Sequence, residues 1–169
     1  MMKIVYYIAS VLGVILFVSS VQFKKKKDIL LVQLFSSICY GTAYFLCSAY
    51  SGFTTEIIEQ VKDFIFYKYE NNNKKIPLYF LIIFIIILIF VGMFTYNGIA
   101  SLCPLFINLA YFISTYMKNP KHIRLVVFFC GFIWAFYNFT VGTYIFIIGN
   151  TFEVLSAAVS LWRYHETNK

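Results

Sequence analysis

Apolar and polar positions fall in long blocks along this chain. Runs of about 20 apolar residues are separated by short polar breaks, and a helix rising about 1.5 Å per residue needs about 20 of them to cross a bilayer core. The blocks predict seven helical segments, at about 4–23, 29–50, 53–69, 76–96, 100–117, 125–139 and 143–163. The breaks are Lys24–Lys27 with Asp28, a Ser51–Gly52 turn, the polar stretch 69–75, the basic loop from Lys118 to Arg124, and a tight turn over 140–142. The first segment has only Lys3 before it and an apolar run longer than a signal peptide's, so it is expected to span.

The segments differ in their faces. In the last one, Gly149, Asn150, Glu153, Ser156, Ala157 and Ser160 recur at helical spacing and form one small and polar stripe, while Ile148, Leu155, Val159 and Trp162 point elsewhere. Glu153 sits near mid-span with no basic residue within a turn. A carboxyl at that depth is costly, so it should face the protein interior or a wet cavity. The third segment has Ile57, Ile58, Val61, Phe64 and Ile65 on one face and Glu56, Glu59, Gln60, Lys62 and Asp63 on the other. It is either an interfacial helix or a span whose charged face is shielded by neighbours. Glu59 can pair with Lys62 at i+3, and Lys62 and Asp63 are expected to cluster locally. Glu56 is expected near a solvated vestibule. The fourth segment is apolar all round and reads as a passive connector. Pro104, inside the fifth, is a candidate hinge.

Composition places the chain in a membrane. It is 61% hydrophobic and 12% charged, against about 25% charged for soluble domains. Barrel strands would alternate in short segments, so the class is all-α. The net charge of +7 sits in short loops and implies no nucleic acid. If the third segment spans, every basic residue except Lys3 lies on or beside one side, including Lys62, Arg163 and Lys169. If it does not, most of the basic residues beyond Lys24–Lys27 fall on the other side. Basic residues favour the cytoplasm, so the expectation is seven spans, with the N-terminus outside and the C-terminus cytoplasmic. Cys39, Cys47, Cys103 and Cys130 lie in apolar segments without metal-ligand spacing, and the two histidines sit in a loop and the tail. No cofactor, metal or enzymatic motif is implied.

A shift of 94 residues aligns the two ends of the chain: Lys24 on Lys118, Lys27 on Lys121, Tyr50 on Tyr144, Glu59 on Glu153 and Glu56 on Asn150. The expected architecture is 3+1+3 within a single membrane domain: a three-helix repeat over 4–69, a linker helix over 76–96, and a second repeat over 100–164. Parallel repeats of this kind hold their sites near mid-membrane, at the repeat interface.

The basic loop followed by Leu30 to Gly52, and Ile133 to Tyr144 followed by Glu153, Ser156 and Arg163, resemble the SWEET, PQ-loop and KDEL-receptor superfamily of seven-helix proteins. More closely, they resemble the YgjV-type bacterial inner membrane proteins. The resemblance implies the fold and a bacterial inner membrane location. In SWEET-type transporters an Asn on the third helix of each bundle lines the sugar pocket. Asn150 matches it in the second half, whereas the first half has Glu56 or Glu59, and there is no PQ dipeptide.

The expected function is a small-solute transporter or facilitator. Its site would lie between the bundles, lined by Glu59, Asn150 and Glu153 and walled by Trp134, Tyr44 and Asn138. The alternative is a receptor or structural subunit of the same fold. The lipid bilayer and an unknown small solute are the expected partners, and self-association is left open.

Overall fold

The computed structural model describes residues 2–166, so Lys169 lies outside the described residues. These residues form seven α-helices and no strand: α1 (Met2–Ser20), α2 (Lys26–Leu46), α3 (Tyr50–Asn71), α4 (Leu78–Phe94), α5 (Leu102–Tyr116), α6 (Pro120–Thr140) and α7 (Tyr144–Glu166). A 3-10 turn over Ile99–Ser101 leads into α5. Five helical stretches are long and apolar enough to cross a membrane: α1, α2, the 3-10 turn with α5, α6 and α7. α4 is apolar but has 17 residues.

Six helices pack as a ring. α2 lies between α1 and α3, α6 lies between α5 and α7, and the ring closes where α1 meets α7 and α3 meets α5. α4 lies outside it, against α3 and α5, and buries only Phe84 and Leu88 fully.

The stripe on α7 faces inward. Asn150, Glu153, Ala157 and Ser160 are buried, while Ile148, Leu155, Val159 and Trp162 are exposed. Its two halves do different work. Asn150 and Glu153 face the centre of the ring. Ser156 donates to the Val18 carbonyl at 2.7 Å and Ser160 to the Val21 carbonyl at 2.6 Å, which fastens α7 to α1. Gln22 and Tyr164 add to this seam through the Ser156 carbonyl and the Gln22 carbonyl. Arg124, at the start of α6, donates to the carbonyls of Val21 and Phe23, which caps the end of α1.

α3 inverts the polarity of a water-surface helix. Glu56, Glu59, Lys62 and Asp63 are buried, whereas Ile57, Val61 and Phe64 are exposed. An interfacial helix would turn the charged face to water, and this one turns it to the protein. Lys62 is 1% exposed, so it is no loop-flanking charge as the topology count supposed. Its ammonium is held by two carboxylates instead.

The expected Ser51–Gly52 turn lies elsewhere. The chain turns over 47–49, with Ser48 at φ 56°, and Ser51 and Gly52 are already inside α3. The α6–α7 turn has the same form: Gly142 takes φ 76°, and the bond from Thr143 N to the Asn138 carbonyl matches that from Ala49 N to the Tyr44 carbonyl. Ser48 stands where glycine suits the backbone, because a left-handed non-glycine residue carries a steric cost of about 1 kcal/mol. Ser48→Gly is therefore expected to raise stability by about 0.5–1 kcal/mol, read as a higher melting temperature in detergent, and Gly142→Ser to lower it by a similar amount.

Pro104 is the third residue of α5, within its first turn. A proline there removes no intrahelical hydrogen bond, so the basis for a kink inside this helix is missing. Its carbonyl accepts from Asn108 Nδ2 at 2.7 Å.

Candidate functional site

The centre of the ring holds a cavity reached by side chains from every helix except α4. Its free space is about 40 Å³, by a measure in which one water takes roughly 10–15 Å³, so it has room for roughly three waters. The six residues expected to line a site, Tyr44, Glu59, Trp134, Asn138, Asn150 and Glu153, all stand in its wall. Pro104 does not.

One side of the wall is a directed hydrogen-bond chain. Tyr44 OH donates to Asn138 Oδ1 at 2.9 Å, and Thr143 Oγ1 donates to the same oxygen at 2.7 Å. Asn138 Nδ2 donates to Asn150 Oδ1, and Asn150 Nδ2 donates to Glu153 Oε2, both at 3.0 Å. Tyr40 OH donates to Glu153 Oε1. Glu153 thus accepts from Asn150 at Oε2 and is hydrogen-bonded to Tyr40 of α2 at Oε1. Among the described residues it forms no ion pair.

The other side is charged. Lys62 Nζ bonds Glu59 Oε2 and pairs with Asp63 Oδ1 at 3.0 Å, and it lies 5.1 Å from the centre of the Phe112 ring. This leaves Glu59 Oε1 buried without a partner. Gln33 Nε2, also in the wall, is buried and unpartnered. Glu56 is the larger departure from expectation. It is 6% exposed and lines the cavity rather than a solvated vestibule.

Tyr137 OH accepts from Gly52 N at 3.0 Å and bonds Ser51 Oγ at 2.9 Å, joining α6 to α3 beside the two turns. The Tyr44 and Trp134 rings stack with centres 6.1 Å apart.

Sequence reasoning missed Tyr40, Gln33, Asp63, Asn108 and Tyr111 as wall residues. The 94-residue shift carried the signal for one of them, since Tyr40 is the mate of Trp134. Gln33 and Asn108 have polar side chains inside apolar helices, which marks them as inward-facing. Among the described residues, no group of His, Cys, Asp and Glu could hold a metal ion.

Residues 2–168 match the family Imp-YgjV, described as a bacterial inner membrane protein. The chain belongs to that family. It is therefore a protein of the bacterial inner membrane, in keeping with its several apolar helices. No curated protein and no solved structure matches it.

Proposed function

We propose that this Imp-YgjV protein is a small-solute transporter or facilitator that crosses the bilayer seven times. Two parallel three-helix halves, α1–α3 and α5–α7, are joined by α4 as an inversion linker within one membrane domain, and the solute binds between them. The N-terminus is outside and the C-terminus cytoplasmic. The helix arrangement is of the SWEET-like kind, and no enzymatic step is involved.

The observation that carries this reading is the wall of the central cavity. It is built from both halves and keeps buried polar atoms, at Glu59 and Gln33, without partners. A bundle selected only for rigidity pairs such groups, because an orphaned buried one costs about 1–3 kcal/mol. The internal symmetry adds support. Ser48 and Gly142, 94 residues apart, both take positive φ. Tyr44 bonds its own mate Asn138, and Phe17 packs against its mate Tyr111 with ring centres 6.3 Å apart. Mates that touch each other are expected beside a two-fold axis, and both pairs stand at the cavity.

The test is a thermal-shift screen of the detergent-purified protein against small metabolites, with Glu153→Gln beside it. A solute at a hundred times its Kd stabilises the folded state by about 2.7 kcal/mol. The expected result is a hit that raises the melting temperature by several degrees, is lost in Glu153→Gln, and crosses the membrane of vesicles holding the native protein. A hit that binds without crossing the membrane would favour the receptor alternative, and absence of any hit, with Glu153→Gln merely melting lower, would favour the structural-subunit alternative.

A further inference from the structure

The acidic and basic groups around the cavity do not pair off. Four buried carboxyl groups, Glu56, Glu59, Asp63 and Glu153, share one buried ammonium, that of Lys62. Lys62 serves Glu59 and Asp63. That leaves Glu56 and Glu153 without a cation among the described residues, and Glu56 without any hydrogen bond there. Glu56 lies within electrostatic reach of the other three carboxyls. Buried carboxyls gathered in one place are tolerated only when protons or cations neutralise them, and a bound cation can take a proton's place.

We propose that the solute is a small organic cation, an ammonium group carrying a hydroxyl or carbonyl oxygen, held between Glu56 and Glu153. The proposal rests on the solute-site reading above and names its substrate class.

Three features point to this chemistry. The first is the wall, where the stacked Tyr44 and Trp134 rings stand in the same lining as the unpaired carboxyls. Aromatic faces attract cations and add nothing for an anion. The second is the one ammonium already present. Lys62 rests between two carboxylates and over the Phe112 ring, a working example in this same bundle of how it holds such a group. The third is Gln33, whose unpartnered Nε2 calls for an acceptor on the ligand, hence the oxygen. The free space of about 40 Å³ suits a solute of about three to five non-hydrogen atoms. A second anion in this cavity would add like charge where three carboxyls already face Glu56.

The experiment compares three probes of nearly equal size and different charge: ethanolammonium, ethylene glycol and glycolate. Each is added at the same concentration and ionic strength to the full-length protein in detergent, with sodium chloride alone as the fourth arm. Melting temperature and titration calorimetry are read for the native chain and for Glu56→Gln. That variant keeps side-chain size and breaks no hydrogen bond of the described residues, so its fold is expected to hold.

Ethanolammonium alone should stabilise the native chain, and Glu56→Gln should weaken its binding by about tenfold or more. Equal or stronger stabilisation by ethylene glycol or glycolate would overturn the cation class while leaving a solute site in place. The same shift with sodium chloride alone would overturn the organic cation in favour of a metal ion. Ethanolammonium binding equally well to Glu56→Gln would remove Glu56 from the site and overturn the assignment. No shift with any probe would overturn the small-ammonium proposal, and the metabolite screen would then decide separately whether any solute binds.

Discussion

Lys62→Met is expected to destabilise the folded protein by about 3–5 kcal/mol, the largest loss of any single substitution considered for this chain. The Lys62 ammonium is 1% exposed and is the only cation of the described residues paired with Glu59 and Asp63. Removing it leaves two neighbouring carboxyls buried inside a membrane bundle with nothing to offset them. For a chain of this length the loss corresponds to a fall in melting temperature on the order of 10 °C, measurable in detergent by intrinsic fluorescence. Two comparisons separate this cause from loss of side-chain packing. The triple variant Glu59→Gln, Lys62→Met, Asp63→Asn removes all three charges together and should recover most of the lost stability, because a neutral set has no charge to compensate. Lys26→Met breaks the ion pair with Glu70, whose side chain is 27% exposed, and should cost about 1 kcal/mol or less. If Lys62→Met melts no lower than Lys26→Met, the buried cluster is not holding α3 in the bundle.

Asn138→Leu is the second. Asn138 is the node of the directed chain, with its oxygen accepting from Tyr44 and Thr143 and its amide donating to Asn150. Leucine fills a similar volume but removes all three bonds. Thr143 keeps the Asn138 backbone carbonyl at 3.3 Å as an acceptor, whereas Tyr44 OH and Asn150 Oδ1 lose the partners described here. Interhelical hydrogen bonds in membranes average about 0.6 kcal/mol, so the loss of three comes to about 2 kcal/mol. Function should suffer more than stability, since Asn150 is what orients Glu153 from within α7. Binding of any solute found for the native chain is expected to fall at least tenfold. Asn138→Asp keeps the acceptor for Tyr44 and Thr143 but sets an oxygen against Asn150 Oδ1, and should fall between the two. Full solute binding by Asn138→Leu would show that the chain of amides is only structural.

The two outcomes concern parts of the molecule that differed in how far they could be read from residues alone. The inward face of α7 was legible because helical periodicity assigns Gly149, Asn150, Glu153, Ser156, Ala157 and Ser160 to one stripe whatever they later touch. The inward face of α3 was ambiguous by periodicity, since an interfacial helix carries the same pattern, and only the distribution of basic residues favoured shielding by neighbours. Glu56 was misjudged because its depth was counted from a turn at Ser51–Gly52. With α3 starting at Tyr50, Glu56 lies six residues in, about 9 Å from the helix start. Pro104 was read as lying inside the fifth segment for a related reason, whereas the 3-10 turn and the start of α5 put it in a first helical turn.

Local pattern, then, was enough for the seven helices and for the polar stripes of α3 and α7, because each depends on residues close in sequence. Packing alone decided that Tyr40 would meet Glu153 across 113 residues, that Glu56 would be buried at the cavity, and that Tyr137 would join α6 to α3 through Ser51 and Gly52. Those pairings follow from the order of helices around the ring and their rotation against one another, and no periodicity within a single helix encodes either.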